Sequence, residues 1–177
     1  MRSLTIVAAL VLISTPALAQ DRSGFFIDIG LGLGSLTMSV EGESASEWGL
    51  SGNLALGGTL SPSIQIGGGT FGWYKADFGT MGNLMAIINV FPSPTGNFWL
   101  RGGAGYYRWS EEFDVSLSGL SFAASAGYDL MVSPGVGIAP YATFLMGLSS
   151  EIKVDGTGTG VNGSLTFIQI GAMLSIN

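Results

Sequence analysis

Along most of the chain, apolar positions recur at every second residue, the period of a β-strand with two unlike faces. The last stretch, Leu165 to Asn177, is the plainest case. There Ile168, Ile170, Ala172, Leu174 and Ile176 share one parity, while Phe167, Gln169, Gly171, Met173 and Ser175 share the other. Eight segments have this character, roughly 24–39, 48–60, 63–75, 81–91, 98–109, 119–132, 136–150 and 164–176. Each suffices for a tilted membrane strand, which needs about 9–11 residues. In the second segment Trp48, Leu50, Leu54, Leu56 and Leu60 oppose Ser51, Asn53, Ala55 and Thr59. In the sixth, Leu120, Phe122, Tyr128, Leu130 and Val132 oppose Ser121, Ser125 and Asp129. In the first, Phe25, Ile27, Ile29, Leu31 and Leu33 oppose Asp28 and glycines; the apolar parity then passes to Leu36, Met38 and Val40, which predicts a bulge near Gly34-Ser35. The third switches as well, from Ile64 and Ile66 to Phe71 and Trp73 across Gly67-Gly68-Gly69.

The connections alternate in kind. Three are short and carry proline, at 61–63, 92–97 and 133–135; proline presets turn geometry and stops a strand. Four are polar or acidic, at 41–47, 75–80, 108–118 and 151–163, and they hold nine of the 12 acidic residues. In an eight-stranded antiparallel meander this puts the four polar loops at one rim, and the short turns with both termini at the other. Transmembrane barrels are built this way. A terminal strand must pair along both edges or expose rows of backbone donors and acceptors, and a closed barrel pairs it with the first strand.

Composition sharpens the picture. Charged residues make up 10% of the chain, against about 25% in a typical soluble domain, while 47% is apolar and 29 residues are glycine. Such a chain makes a poor water-facing surface but suits one that faces lipid. The net charge of −6 leaves no basic patch for phosphate backbones, so nucleic acid is not an expected partner. The absence of cysteine excludes disulfides and thiolate metal sites.

The first residues read as a cleavable signal peptide over residues 1–19. Arg2 precedes an apolar run from Leu4 to Ile13, too short to span a bilayer, and Ala17-Leu18-Ala19 supplies the small residues of a cleavage site. Loss of Arg2 takes the net charge from −6 to −7. The domain is then 20–177, and with no long apolar segment in it, an exported chain reaches a membrane only as a barrel.

Aromatic residues gather near strand ends, among them Phe25, Trp48, Trp73, Tyr74, Phe91, Phe98, Trp99, Tyr106, Tyr107 and Trp109, as in interfacial girdles. Gln169, Gly171, Leu174 and Ile176 fit the polar-x-Gly-x-x-apolar-x-apolar pattern read by barrel-insertion machinery, although the chain ends in Asn177 where an aromatic is usual. Through this layout the chain resembles the small eight-stranded outer-membrane β-barrel family, of the OmpA transmembrane-domain and OmpX type. The resemblance implies residence in the bacterial outer membrane, contact with its lipid and lipopolysaccharide, and a plugged polar lumen. With nothing after the last strand, no peptidoglycan-binding domain is expected.

With the apolar parity toward lipid, Asp28, Asn53, Gln65, Asn83, Asn89, Arg101, Asp129 and Gln169 face the lumen. Eight strands enclose a space that side chains fill, so Arg101 is expected to pair with Asp28 and Asp129 rather than stand as an uncompensated charge. The network is either a structural plug or a gate in which Arg101 exchanges partners. Enzymes among outer-membrane barrels lean on a catalytic histidine; this chain has none, which removes Ser-His-Asp chemistry and histidine base catalysis. The glycine runs precede no helix or lysine and are not phosphate loops. Glu111, Glu112 and Asp114 suit divalent bridging to lipopolysaccharide phosphates or a surface ligand, but without ordered ligand spacing no metal site or cofactor is assigned. The leading reading is a non-enzymatic outer-membrane barrel with a structural or surface-interaction role. The alternatives are a narrow pore for ions or small solutes, and an exported soluble barrel with an apolar ligand in its lumen.

Overall fold

A computed structural model of the protein describes residues 22–111 and 115–177. The predicted signal peptide lies outside them. The described residues form β1 (Phe25–Val40), β2 (Glu43–Ser61), β3 (Ile64–Lys75), β4 (Gly79–Val90), β5 (Phe98–Ser110), β6 (Val115–Tyr128), β7 (Leu130–Ser133), β8 (Val136–Val154) and β9 (Thr157–Ile176). Consecutive strands pair antiparallel, β6 also pairs with β8, and β9 closes the barrel on β1 from Ile27↔Ile176 to Val40↔Gly163. β6 and β7 form one stave interrupted at Asp129, so the barrel has the eight staves that the periodicity predicts.

The apolar parity faces out. Leu31, Leu50, Leu84 and Leu120 are 58–75% exposed, and so are many like them around the wall. The soluble-barrel alternative needs these residues inside and is excluded by this arrangement.

Two expectations are corrected. No bulge interrupts β1, which keeps one register with β2 from Phe25↔Gly58 to Val40↔Glu43. The apolar switch in β1 has another cause: Leu36, fully buried, and Met38 point into the barrel. β3 likewise keeps its parity across Gly67-Gly68-Gly69, and Phe71 and Trp73 are buried inside. The aromatic set is accordingly split. Phe25, Trp48, Tyr74, Phe98 and Tyr106 face outward, while Trp73, Phe91, Trp99, Tyr107 and Trp109 are buried.

Two of the acidic connections are strand rather than loop. β1–β2 turns on Glu41-Gly42 and β8–β9 on Asp155-Gly156, with both residues of each pair at positive φ. Positive φ at both centres is the two-residue hairpin geometry that matches strand twist. The staves therefore run on past the apolar belt as ribbons.

Some glycines are demanded by packing. Gly32 and Gly171 are cross-strand partners, and a Cβ on Gly171 would collide with the Leu31 carbonyl oxygen and the Gly32 backbone. On the outer wall, a Cβ on Gly82 meets nothing within 4 Å. Gly171→Ala is expected to cost about 1–3 kcal/mol through overpacking, whereas Gly82→Ala is neutral or slightly stabilising because alanine has less chain freedom to lose. Urea midpoints of the two variants in the same micelles check the contrast.

Candidate functional site: the barrel lumen

The lumen is divided by chemistry along its length. Toward the rim with the long hairpins, Leu36, Phe71, Trp73, Tyr107, Leu117 and Phe167 belong to one buried apolar cluster. Toward the other rim polar inward side chains are interleaved with a second, smaller apolar group, Phe91, Trp99, Ala139, Tyr141 and Met173. Inward positions on neighbouring strands form one unbroken row: Gln169↔Thr143↔Ser125↔Arg101↔Asn89↔Gln65↔Thr59. Much of the row is hydrogen-bonded. The Ser125 and Thr143 hydroxyls are 2.9 Å apart, Arg101 Nε donates to Asn89 Oδ1 at 2.6 Å, and Asn89 Nδ2 donates to Gln65 Oε1 at 3.0 Å. Gln65 Nε2 in turn donates to Thr59 Oγ1 at 3.2 Å and to Asn177 Oδ1 at 2.7 Å.

Asp28, Arg101 and Asp129 converge here, but with different partners than the sequence suggests. Arg101 Nη2 forms an ion pair with Asp28 Oδ2. Asp129 accepts from Trp99 Nε1 at 3.1 Å and faces Arg22 Nη2 at 4.0 Å. Among the described residues Arg101 and Asp129 form no ion pair. Arg22, absent from the sequence-based set, is the second buried cation. It donates to Pro94 O at 3.0 Å and Gly96 O at 2.6 Å, and its guanidinium lies 3.7 Å above the Phe91 ring. Arg22 thereby ties the start of β1 to the β4–β5 turn. Burial pulls its guanidinium below the ordinary arginine value, and the Asp129 carboxylate pulls the other way.

Two cations and two carboxylates, each at most 6% exposed, balance. The space among Asp28, Gln65, Asn89, Trp99, Arg101 and Asp129 is about 10 Å³, room for at most one water. Fork-shaped donors locked on carboxylates and amides hold a wall together; they offer no activated nucleophile. Among the described residues no group of three or more metal-ligating side chains occurs.

The terminal-strand pattern is split by parity. Gln169 and Gly171 face inward, Gln169 fully buried, while Leu174 and Ile176 face outward at 42% and 40% exposure. Of the acidic trio, Glu111 lies at the hairpin rim, and Glu112 and Asp114 lie outside the described residues.

A closed, eight-staved up-and-down barrel with an apolar outer wall and a filled lumen defines the small outer-membrane β-barrels, and the chain has their fold. No family model matches the chain, and no curated protein matches it. Among solved structures, Neisserial surface protein A, from Neisseria, is 14% identical, with 87% of this chain and 97% of that one covered at a TM-score of 0.58. OprG from Pseudomonas aeruginosa is 11% identical, over 90% and 99% of the two chains, at 0.49. Ail of Yersinia pestis is 16% identical, over 85% and 99%, at 0.48. At such identity the likeness to the Neisserial barrel is one of fold.

Proposed function

We propose that the protein is a non-enzymatic integral outer-membrane barrel that stabilises the envelope and presents its acidic hairpin rim, with a lumen closed to solutes. The observation that carries this is the filled interior: a buried apolar cluster stacked on a charge-balanced network with about 10 Å³ of space. Hydrated ions do not cross an apolar cluster of this kind without displacing it, and Arg101 is held in place by both Asp28 and Asn89. The wall of exposed leucine, isoleucine and phenylalanine is the lipid contact. Leu174 and Ile176 on that wall, with Gln169 and Gly171 behind them, are the segment offered to the insertion machinery.

The mature, refolded protein in a planar lipid bilayer is expected to be electrically silent, with insertion confirmed by a heat-sensitive shift in gel mobility. Discrete, reproducible conductance steps would overturn the closed lumen and favour the narrow pore.

A further inference from the structure

The cations of the described residues are unevenly used. Arg22 and Arg101 are in the lumen, and Lys75 is paired with Glu47. Arg108 and Lys153 remain, and among the described residues no carboxylate lies within ion-pair distance of either. Both face outward. Arg108 is exposed between the buried Tyr107 and Trp109, and Lys153 is exposed beside Ile152, which packs inward.

The register brings them to one patch of wall. Arg108 is the cross-strand partner of Ser118, and Lys153 of Ser116. With only β6 between their strands, the two backbones stand about 10 Å apart, within reach of two long side chains converging on one group. Hydroxyls fill the patch around Arg108. Ser110 pairs with both Ser116 and Thr80, and Tyr106 Oη donates to Ser118 Oγ at 2.9 Å. The carboxylate nearest in sequence to Lys153 on its strand, Glu151, is engaged by the Gly160 N–H at 2.7 Å. Directly toward the belt, the same wall turns apolar with Leu84, Leu120 and Phe122. Cations and hydroxyl donors with no ion-paired carboxylate among the described residues, at the edge of an apolar wall, match an amphiphile with a phosphate head.

We propose that Arg108 and Lys153, with Ser116 and Ser118 between them, bind the phosphate of a net-anionic membrane lipid, one whose phosphate is not neutralised by a cationic head group, with its chains on the wall below. This rests on the membrane-barrel reading. The test uses the mature chain refolded in a neutral maltoside detergent, mixed with diphosphoryl lipid A or with phosphatidylcholine and examined by native mass spectrometry. One lipid A is expected to be retained and phosphatidylcholine not. Retention is expected to fall about tenfold in the double variant Arg108→Gln/Lys153→Gln, the scale of one lost charge-assisted contact, and to be unchanged in Lys75→Gln. Equal retention by wild type and the double variant overturns the site. Displacement of lipid A by excess inorganic phosphate shows a free-anion site and overturns the lipid assignment. A wild-type chain that shows no heat-sensitive mobility shift after addition to phosphatidylcholine vesicles sinks the membrane reading itself, whatever lipid it retains in detergent.

Discussion

Arg101→Ala is expected to lower the unfolding free energy by about 3–5 kcal/mol, read as a shifted urea midpoint in micelles. The substitution strands the buried Asp28 carboxylate without its cation, and removes the donor to Asn89 Oδ1. Asp129 keeps its own partners, Trp99 and Arg22. The charge-free double variant Asp28→Leu/Arg101→Met should recover most of the loss, because a buried pair contributes less than its broken half costs. Arg101→Ala unfolding at the wild-type midpoint would show that the network does not hold the barrel together.

The second large effect belongs to the apolar half. Phe167→Ala is expected to cost about 3–5 kcal/mol, the transfer of a ring plus the cavity it leaves. Phe167 is fully buried and packed closely enough that a Cβ on Gly34 would collide with its ring. Its neighbour Ile168 is 47% exposed on the outer wall. Ile168→Ala should cost about 2 kcal/mol, a transfer term alone, since lipid closes over the site and no cavity forms. A larger loss at Ile168 than at Phe167 would mean that the two faces of β9 are assigned the wrong way round.

The staves, their order and the inward set of Asp28, Asn89, Arg101 and Asp129 were legible in the sequence because a period of two survives any side-chain environment. The faces were harder. Leu36, Met38, Phe71 and Trp73 broke the rule that apolar means outward, and a bulge was the natural inference. The lumen is itself apolar at that level, so the chain kept its register and changed what its inner face is made of. Periodicity gives parity but cannot say that the inside has two chemistries. The hairpins were missed for a related reason: serine, threonine and glycine read as loop, yet Thr37 with Ser46 and Ser39 with Ser44 form cross-strand hydroxyl pairs at 2.7 Å. Arg22 lies outside every periodic segment, so no pattern marked it. Charge counting could have found it, since two inward carboxylates and one inward cation leave a deficit that a buried site does not tolerate.

On the proposed surface-facing orientation, the two-residue turns at Glu41-Gly42 and Asp155-Gly156 bear on how the hairpin rim is attacked and recognised. Proteases cut slack chain that can be drawn into an extended cleft, and the β1–β2 ribbon, in one register up to Val40↔Glu43, supplies none at its tip, while β8–β9 closes at Val154↔Thr157 above register shifts at Gly147/Ser150 and Glu151/Lys153. A receptor or antibody meeting them likewise finds a shape already set, with little disorder to quench on contact.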